Sequence, residues 1–356
     1  SKGGGPFANA TSNLVETTVT QVGAFALAQD NTKTAAVGNT VYMAHTLTNT
    51  GNGSDTFKLS LTDNAGTFAA SNLAIYADAN GDGVPDNTTA LCVGVAACTN
   101  YVTPSLPANG TFKFVVSMTV PASAGNGNSD NITVTATPGT VGLYTTASQS
   151  NTDTLNVTST AAFQVNKSIS ASQGATGVTL TYTLTYKDVG AAIGNLALQD
   201  VIGAAGSPTA GYSYVAGSAK WSAGGASLND NALVAATPDR ANIGGMDAYY
   251  EAITAGSTTT IKANINKVGP NVTGTVTFDV LVLGTALPGT STTTNTGSFA
   301  VDDDLDPTNN GALTLQSTNP SPYNVLSNYS VVANDGTVAA ADGSNTRPLS
   351  TDADAG

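Results

Sequence analysis

Apolar side chains recur at every second position through much of this chain. In GVTLTYTLTYKD, Val178, Leu180, Tyr182, Leu184 and Tyr186 fall on one face and threonines take the other. TFKFVVSMTV repeats the pattern with Phe112, Phe114, Val116, Met118 and Val120, and TGTVTFDVLVLG repeats it with Val276, Phe278, Val280 and Val282. A period of two marks a strand with one buried face. Threonine suits the outer face because its branched Cβ fits a pleated backbone. No window sustains a helical period, so the expected fold class is all-β, built from two-layer sandwiches.

The pattern also repeats. TVYMAHTLTNTGNGSDTFKLSLTD (40–63) lies naturally beside VTLTYTLTYKDVGAAIGNLALQD (178–200). Each has an alternating strand, a Gly-rich turn, a second strand and a closing Asp. Each half then carries a further alternating strand pair: GTFKFVVSMTVP with SDNITVTATP, and GTVTFDVLVLG with TNTGSFAVDDD. Two copies of one sandwich plan account for this, with sandwiches expected over 29–160 and 161–320. Residues 1–28 and 321–356 are then extensions. Val15, Val19, Phe25 and Leu27 alternate in the first, and Tyr323, Val325, Tyr329 and Val331 in the second.

Composition narrows the setting. A formal net charge of −13, with charged residues at 10% of the chain, offers no basic footprint for nucleic acid. It also opposes binding to anionic membrane surfaces. No apolar run is long enough for a membrane span. The start SKGGGPF is what signal-peptide removal leaves, and equally what trimming leaves. Cys92 and Cys98 are the chain's two cysteines. A local disulfide is expected, worth about 2 kcal/mol for so short a loop, and it implies an oxidising compartment outside the cell.

VTLTYTLTYKDVG, NLALQDVIG and YSYVAGSAKWS, followed by GTVTFDVLVLG and TTNTGSFAVDDD, resemble the conserved surface-protein repeat of bacteria and archaea, a domain of unknown function. The resemblance covers roughly 162–318. It implies an Ig-like β-sandwich in a secreted, envelope or sheath-like protein. The first half resembles the companion domain often found with that repeat, in which a strand runs into a YADANGDGVPD-type loop. One departure stands out: the NTG expected after the first strand is present at Asn49–Gly51 but replaced by KDVG in the second half.

The stretch ADANGDGVPD is the most specific chemical signal. Its D-x-N-x-D-G-x-x-D spacing points Asp78, Asn80, Asp82 and Asp86, with the main chain at Val84, toward a Ca²⁺ ion, which takes six to eight oxygens. Thr89 stands where an EF-hand has its acid, so Asp63 or backbone carbonyls would complete the shell. Affinity is expected on the order of 0.1 to 1 mM, the weak extracellular range. The competing reading is a solvated Asn-Gly and Asp-Gly turn. VDDDLDPTNN lacks the spaced glycines and reads as an acidic turn. His45 alternates with Val41, Met43 and Leu47 and reads as a hydrogen-bonded structural histidine. Lys167 and Lys220 raise a further option, isopeptide bonds to Asn or Asp as in some surface Ig domains. Sequons such as Asn131-Ile132-Thr133 arise by chance in so Asn- and Thr-rich a chain.

No nucleophile–base set, phosphate loop or metalloprotease motif is recognisable, and Trp221 is the single tryptophan. The expectation is therefore not an enzyme but a structural subunit of an extracellular filament, sheath or surface layer, whose partner is a second copy of itself. A strand from one subunit would complete a sheet of the next, the N-terminal segment being favoured as donor. The alternative is a monomeric adhesin or binding module meeting other surface components.

Overall fold

The computed structural model describes residues 20–64, 66–140, 142–286, 293–309, 313–326, 338–339 and 346–347. The first half contains β1 (Phe25–Ala28), β2 (Asn31–Ala35), β3 (Thr40–Asn49), β4 (Phe57–Asp63), β5 (Ser71–Ala77), β6 (Cys92–Val93), β7 (Tyr101–Val102), β8 (Thr111–Thr119), β9 (Ser129–Pro138) and β10 (Gln149–Val157). They form two five-stranded sheets, β1-β3-β8-β5-β6 and β2-β10-β9-β4-β7, with β2 parallel to β10. That order is the immunoglobulin plan, with strands A-B-E-D in one layer and A′-G-F-C in the other.

The second half repeats it. Its strands are β11 (Phe163–Ile169), β12 (Gln173–Gly174), β13 (Thr179–Asp188), β14 (Gly194–Ile202), β15 (Tyr212–Tyr214), β16 (Lys220–Trp221), β17 (Ala226–Ser227), β18 (Arg240–Ile243), β19 (Met246–Ala255), β20 (Thr258–Val268), β21 (Thr273–Val282), β22 (Thr293–Asn295), β23 (Ser298–Asp302), β24 (Gln316–Ser317) and β25 (Ser321–Val325). One layer is β11-β13-β21-β16-β17. In the other, β14 pairs with β23 and β20, while β12, β25 and β22 form a short sheet. Because β22 and β23 are nearly continuous, they act as one F strand that pairs first with β25 and then with β14. The protein is all-β and consists of two tandem Ig-like sandwiches.

Alternation produces these layers as the sequence pattern requires. Burial along β3, β13 and β21 switches strictly from residue to residue. Phe57, Leu59, Phe114, Val116, Met118 and Val134 fill the first core, and Tyr182, Leu184, Leu196, Val276, Phe278 and Ile265 the second.

Two expectations change. The outer boundaries move, because both supposed extensions contribute core strands. Phe25–Ala28 pairs antiparallel with Thr46–Asn49, and Phe25 is buried against the Phe57 and Tyr144 rings at 5.3 and 5.6 Å. Leu27, half-buried, packs on the same core. These residues serve their own chain because β3 would otherwise present an unpaired edge. At the other end, β25 lies between β12 and β22 and buries Tyr323 and Val325. Val15, Val19, Tyr329 and Val331 lie outside the described residues. The second change concerns the alternating pairs. β8 and β9 are sequence neighbours that face each other across the core in different sheets, and β21 and β22 likewise.

The KDVG departure also resolves. Asn49 Oδ1 accepts from Gly51 N at 3.0 Å, while its Nδ2 donates to the carbonyls of Gly53 and Leu106, both at 2.8 Å. Asp188 closes the matching turn by accepting from Gly190 N at 2.8 Å. It has no N–H₂ to donate, and its buried Oδ2 has no hydrogen-bond partner. Burial accordingly pushes its carboxyl pKa up, against the N–H groups of Gly190 and Ala162.

A raised carboxyl pKa means that the folded state holds a proton the unfolded state has released. This group's contribution to stability therefore falls as pH rises from the unfolded value of about 3.9 through the folded one. Asp188→Asn should be near neutral at pH 4 and gain over the parent as pH rises, by about 1 kcal/mol at pH 7, the cost of an unmet buried acceptor. Urea unfolding at both pH values checks this. A gap that shrinks with pH would contradict the assignment.

Candidate functional sites

The loop joining β5 to β6 holds the first candidate. Gly81 and Gly83 take φ of +72° and +78°, a region that side chains with a Cβ resist. These turns fold the loop onto Asp78, which is buried, with Oδ1 accepting from Asp82 N at 2.9 Å and Oδ2 from Gly83 N at 3.0 Å. Asp86 Oδ2 accepts from Ala79 N at 2.7 Å, Asp82 Oδ1 from Val84 N at 3.1 Å, and Asn80 Nδ2 donates to Asp82 Oδ2 at 3.0 Å. Burial raises the Asp78 pKa to about 7, with the Asp82 charge adding to it and the N–H groups of Gly83 and Asp82 opposing. The loop is thus a set of carboxyl and carboxamide oxygens wrapped around a short turn with excess negative charge. Lys113 lies against Gly81, where an added Cβ would come within 2.6 Å of its Nζ.

Cys92 and Cys98 are disulfide-bonded, with Cα atoms 5.3 Å apart. The bridge spans a one-turn helix, Gly94–Ala97, and seats buried Cys98 in the first core. Leu91 N donates to Ile75 O at 2.7 Å and Leu61 N to Cys98 O at 2.8 Å. The staple therefore fixes the far end of the same β5–β6 connection.

Between the sandwiches runs a cleft of about 860 Å³, with Lys33, His45, Asp78, Lys113, Gln164 and Asn319 among its walls. Asn319 ties its two sides together: Nδ2 donates to Gly81 O and to Lys167 O, both at 2.7 Å, and Oδ1 accepts from Lys167 N at 2.7 Å. Ala36 N and Asn39 Nδ2 both reach Val189 O, at 2.7 and 3.1 Å, and Val189 is buried in the first core. Gly83 is needed here too, since a Cβ would approach Asn166 Oδ1 to 2.9 Å.

His45 is buried. Its Nε2 is 2.8 Å from Asp153 Oδ2, its ring stacks on Phe114 and its Nδ1 has no partner. Asn31 Nδ2 donates to the other Asp153 oxygen at 2.9 Å. The group clamps β3 to β2 and β10, a structural role. Trp221 is buried and donates to Tyr186 Oη at 2.8 Å, so it presents no aromatic platform. Asp302, Asp303 and Asp304 bring one carboxylate oxygen each within 4.8 Å of one another. The cluster is not wholly solvated, because Asp302 is buried and accepts from Asn264 Nδ2 at 3.1 Å.

The two lysines singled out from sequence part company. Lys220 is exposed on β16. Lys167 is fully buried, with Nζ hydrogen-bonded to Asp200 Oδ2 and 4.4 Å from the centre of the Tyr182 ring. Asn295 Nδ2 donates to that same Asp200 oxygen at 3.4 Å. Burial lowers the Lys167 pKa, with Asp200 opposing. Asp200 and Asn295 were not singled out from sequence. The available signal was that Lys167 and Asp200 each stand in the apolar register of their strand, after Phe163 and Val165 and after Leu196 and Leu198.

No protein-family model matches the chain, and no curated protein matches it. Solved structures similar to it include the C-terminal domain of the AgI/II polypeptide BspA of Streptococcus agalactiae (12% identity, 83% of this chain and 96% of that one, TM-score 0.27). They also include BcpA, the major pilin subunit of Bacillus cereus (9% identity, 85% and 69%, TM-score 0.30), and the collagen adhesin CNA of S. aureus (9% identity, 85% and 93%, TM-score 0.28). At these values the fold assignment rests on the chain's own strand order.

Replacing both cysteines with alanine should cost about 2 kcal/mol, the loop-closure entropy returned to the unfolded chain. Denaturant unfolding of the variant beside the parent measures it, and an unchanged midpoint would show that the bridge constrains nothing.

Proposed function

We propose that the chain is a structural subunit of an extracellular filament, sheath or surface layer, joined to other copies through its terminal segments. The observation that supports this most is the self-sufficiency of the two sandwiches. Each supplies its own A and G strands, and Asn319 and Val189 hold them in tandem. A rigid spacer of this kind suits head-to-tail assembly. Val15 and Val19 on one side, and Tyr329 and Val331 on the other, keep the alternating pattern suited to adding a strand to a neighbour's sheet. Phe25 and Leu27 take no part in that, being committed within the chain.

The inter-sandwich cleft favours a second reading, a surface binding module with the ligand held between the domains. The loop at 78–86 is proposed to bind Ca²⁺ through Asp78, Asn80, Asp82, Asp86 and the Val84 main chain. Its donors are all oxygens and its charge is unbalanced, which fits a hard divalent cation. In either reading the ion stiffens a domain edge.

Electron microscopy of the full chain and of chains lacking residues 1–19 or 327–356 tests assembly. Polymers lost on either truncation, with the melting temperature unchanged, are the expected result. Dispersed particles from the full chain under all conditions would sink the filament reading and direct attention to the cleft. For calcium, 10 mM should stabilise the protein by about 1.4 to 2.7 kcal/mol if the dissociation constant lies between 1 and 0.1 mM. Asp82→Ala should abolish that gain; equal gains in both proteins would place the ion elsewhere.

A further inference from the structure

Lys167, Asp200 and Asn295 are buried side chains from three strands, β11, β14 and β22, drawn from both layers of the second sandwich. A lysine and an aspartate alone would make an ordinary buried ion pair, an arrangement that contributes little net stability because desolvation offsets attraction. The third member changes the chemistry. The lysine amine and the asparagine carboxamide bond to one and the same oxygen, Asp200 Oδ2, so a nucleophile, a proton carrier and an electrophilic carbon are neighbours in a dry site. The Tyr182 ring covers Nζ at 4.4 Å, and the Tyr182 hydroxyl interacts with the Asn295 carboxamide.

We propose that Lys167 and Asn295 condense into an intramolecular amide, with Asp200 carrying the protons and ammonia leaving. Asp200 first accepts a proton from the lysine ammonium, giving a neutral amine. The Nζ lone pair attacks Asn295 Cγ, forming the N–C bond. Asp200 Oδ2, already bonded to Nδ2, delivers a proton there as the Cγ–Nδ2 bond breaks. Nζ gives up two protons in all: one completes the departing NH₃, and the other remains on Asp200 or leaves with it as ammonium. No oxidant, metal or external energy source is needed.

The environment favours each stage. Burial in a low dielectric disfavours the charged amine, consistent with the lowered Lys167 pKa. Fixed neighbours replace the entropy of a bimolecular encounter. Exclusion of water protects the carboxamide from hydrolysis. This inference is independent of how subunits assemble.

The full chain, purified folded and then reduced, should have an intact mass lower than its sequence by one ammonia. Proteolysis should yield a branched peptide joining the Lys167 and Asn295 segments. Linear peptides for both residues in the wild type would overturn the bond. They would do so even alongside an ammonia loss, since asparagine cyclisation loses ammonia without touching Lys167. Asp200→Asn keeps the side chain's shape and should return the mass to the sequence value. A branched peptide persisting in that variant would overturn Asp200 as proton carrier. The wild-type map decides the bond whether or not the variant folds.

Discussion

A two-layer sandwich needs its outer strands to satisfy the edges of both layers, and here one segment per half does so by crossing between them. In the first half, Phe25–Ala28 pairs with β3 in one sheet, and Asn31–Ala35 then runs parallel to β10 in the other. In the second, Phe163–Ile169 pairs with β13, and Gln173–Gly174 then joins β25. Several opposite rims are two-residue strands, β6, β7, β17 and β24, too short to template a long foreign strand. This crossing gives both layers of each half a strand from the same segment and explains why segments read as extensions turn out to be structural.

The same crossing brings polar groups into the interior. β2 carries Asn31 to Asp153, which His45 bonds from the facing layer. β11 carries Lys167 to Asp200. These two clusters use different strands in the two halves, so they are not part of what the repeat shares. Asn49 and Asp188 show the opposite case. Their side chains differ, yet both turn the chain by accepting from the glycine two residues on.

Strands of seven or more residues that bury one face were legible from periodicity alone. The B, C and E strands of both halves and the F strand of the first belong to this class because their apolar residues report the core directly. β1 and β25, the first A strand and the last G strand, were misread because they are short and lie beside chain ends, where composition resembles a tail. β25 spans five residues, SPYNV, and has a proline within it. The Asp78–Asp86 loop was readable because its donors are local. The Lys167 cluster was not, because its bonds join positions 33 and 95 residues apart and depend on which strands face each other. Asn319 was invisible for the same reason: it bonds a carbonyl 238 positions away.

Asn319 also makes one residue answer to two elements at once. Its carboxamide holds the Gly81 carbonyl in the acidic loop and both main-chain groups of Lys167 on the opening strand of the second sandwich. The loop and that strand therefore share a single hydrogen-bonding contact, with Gly83 kept bare so that Asn166 can lie against it. Any change in the loop's shape has to be absorbed either by breaking these bonds or by tilting one sandwich on the other. The turn between β5 and β6 is thus itself part of the seam that joins the two domains.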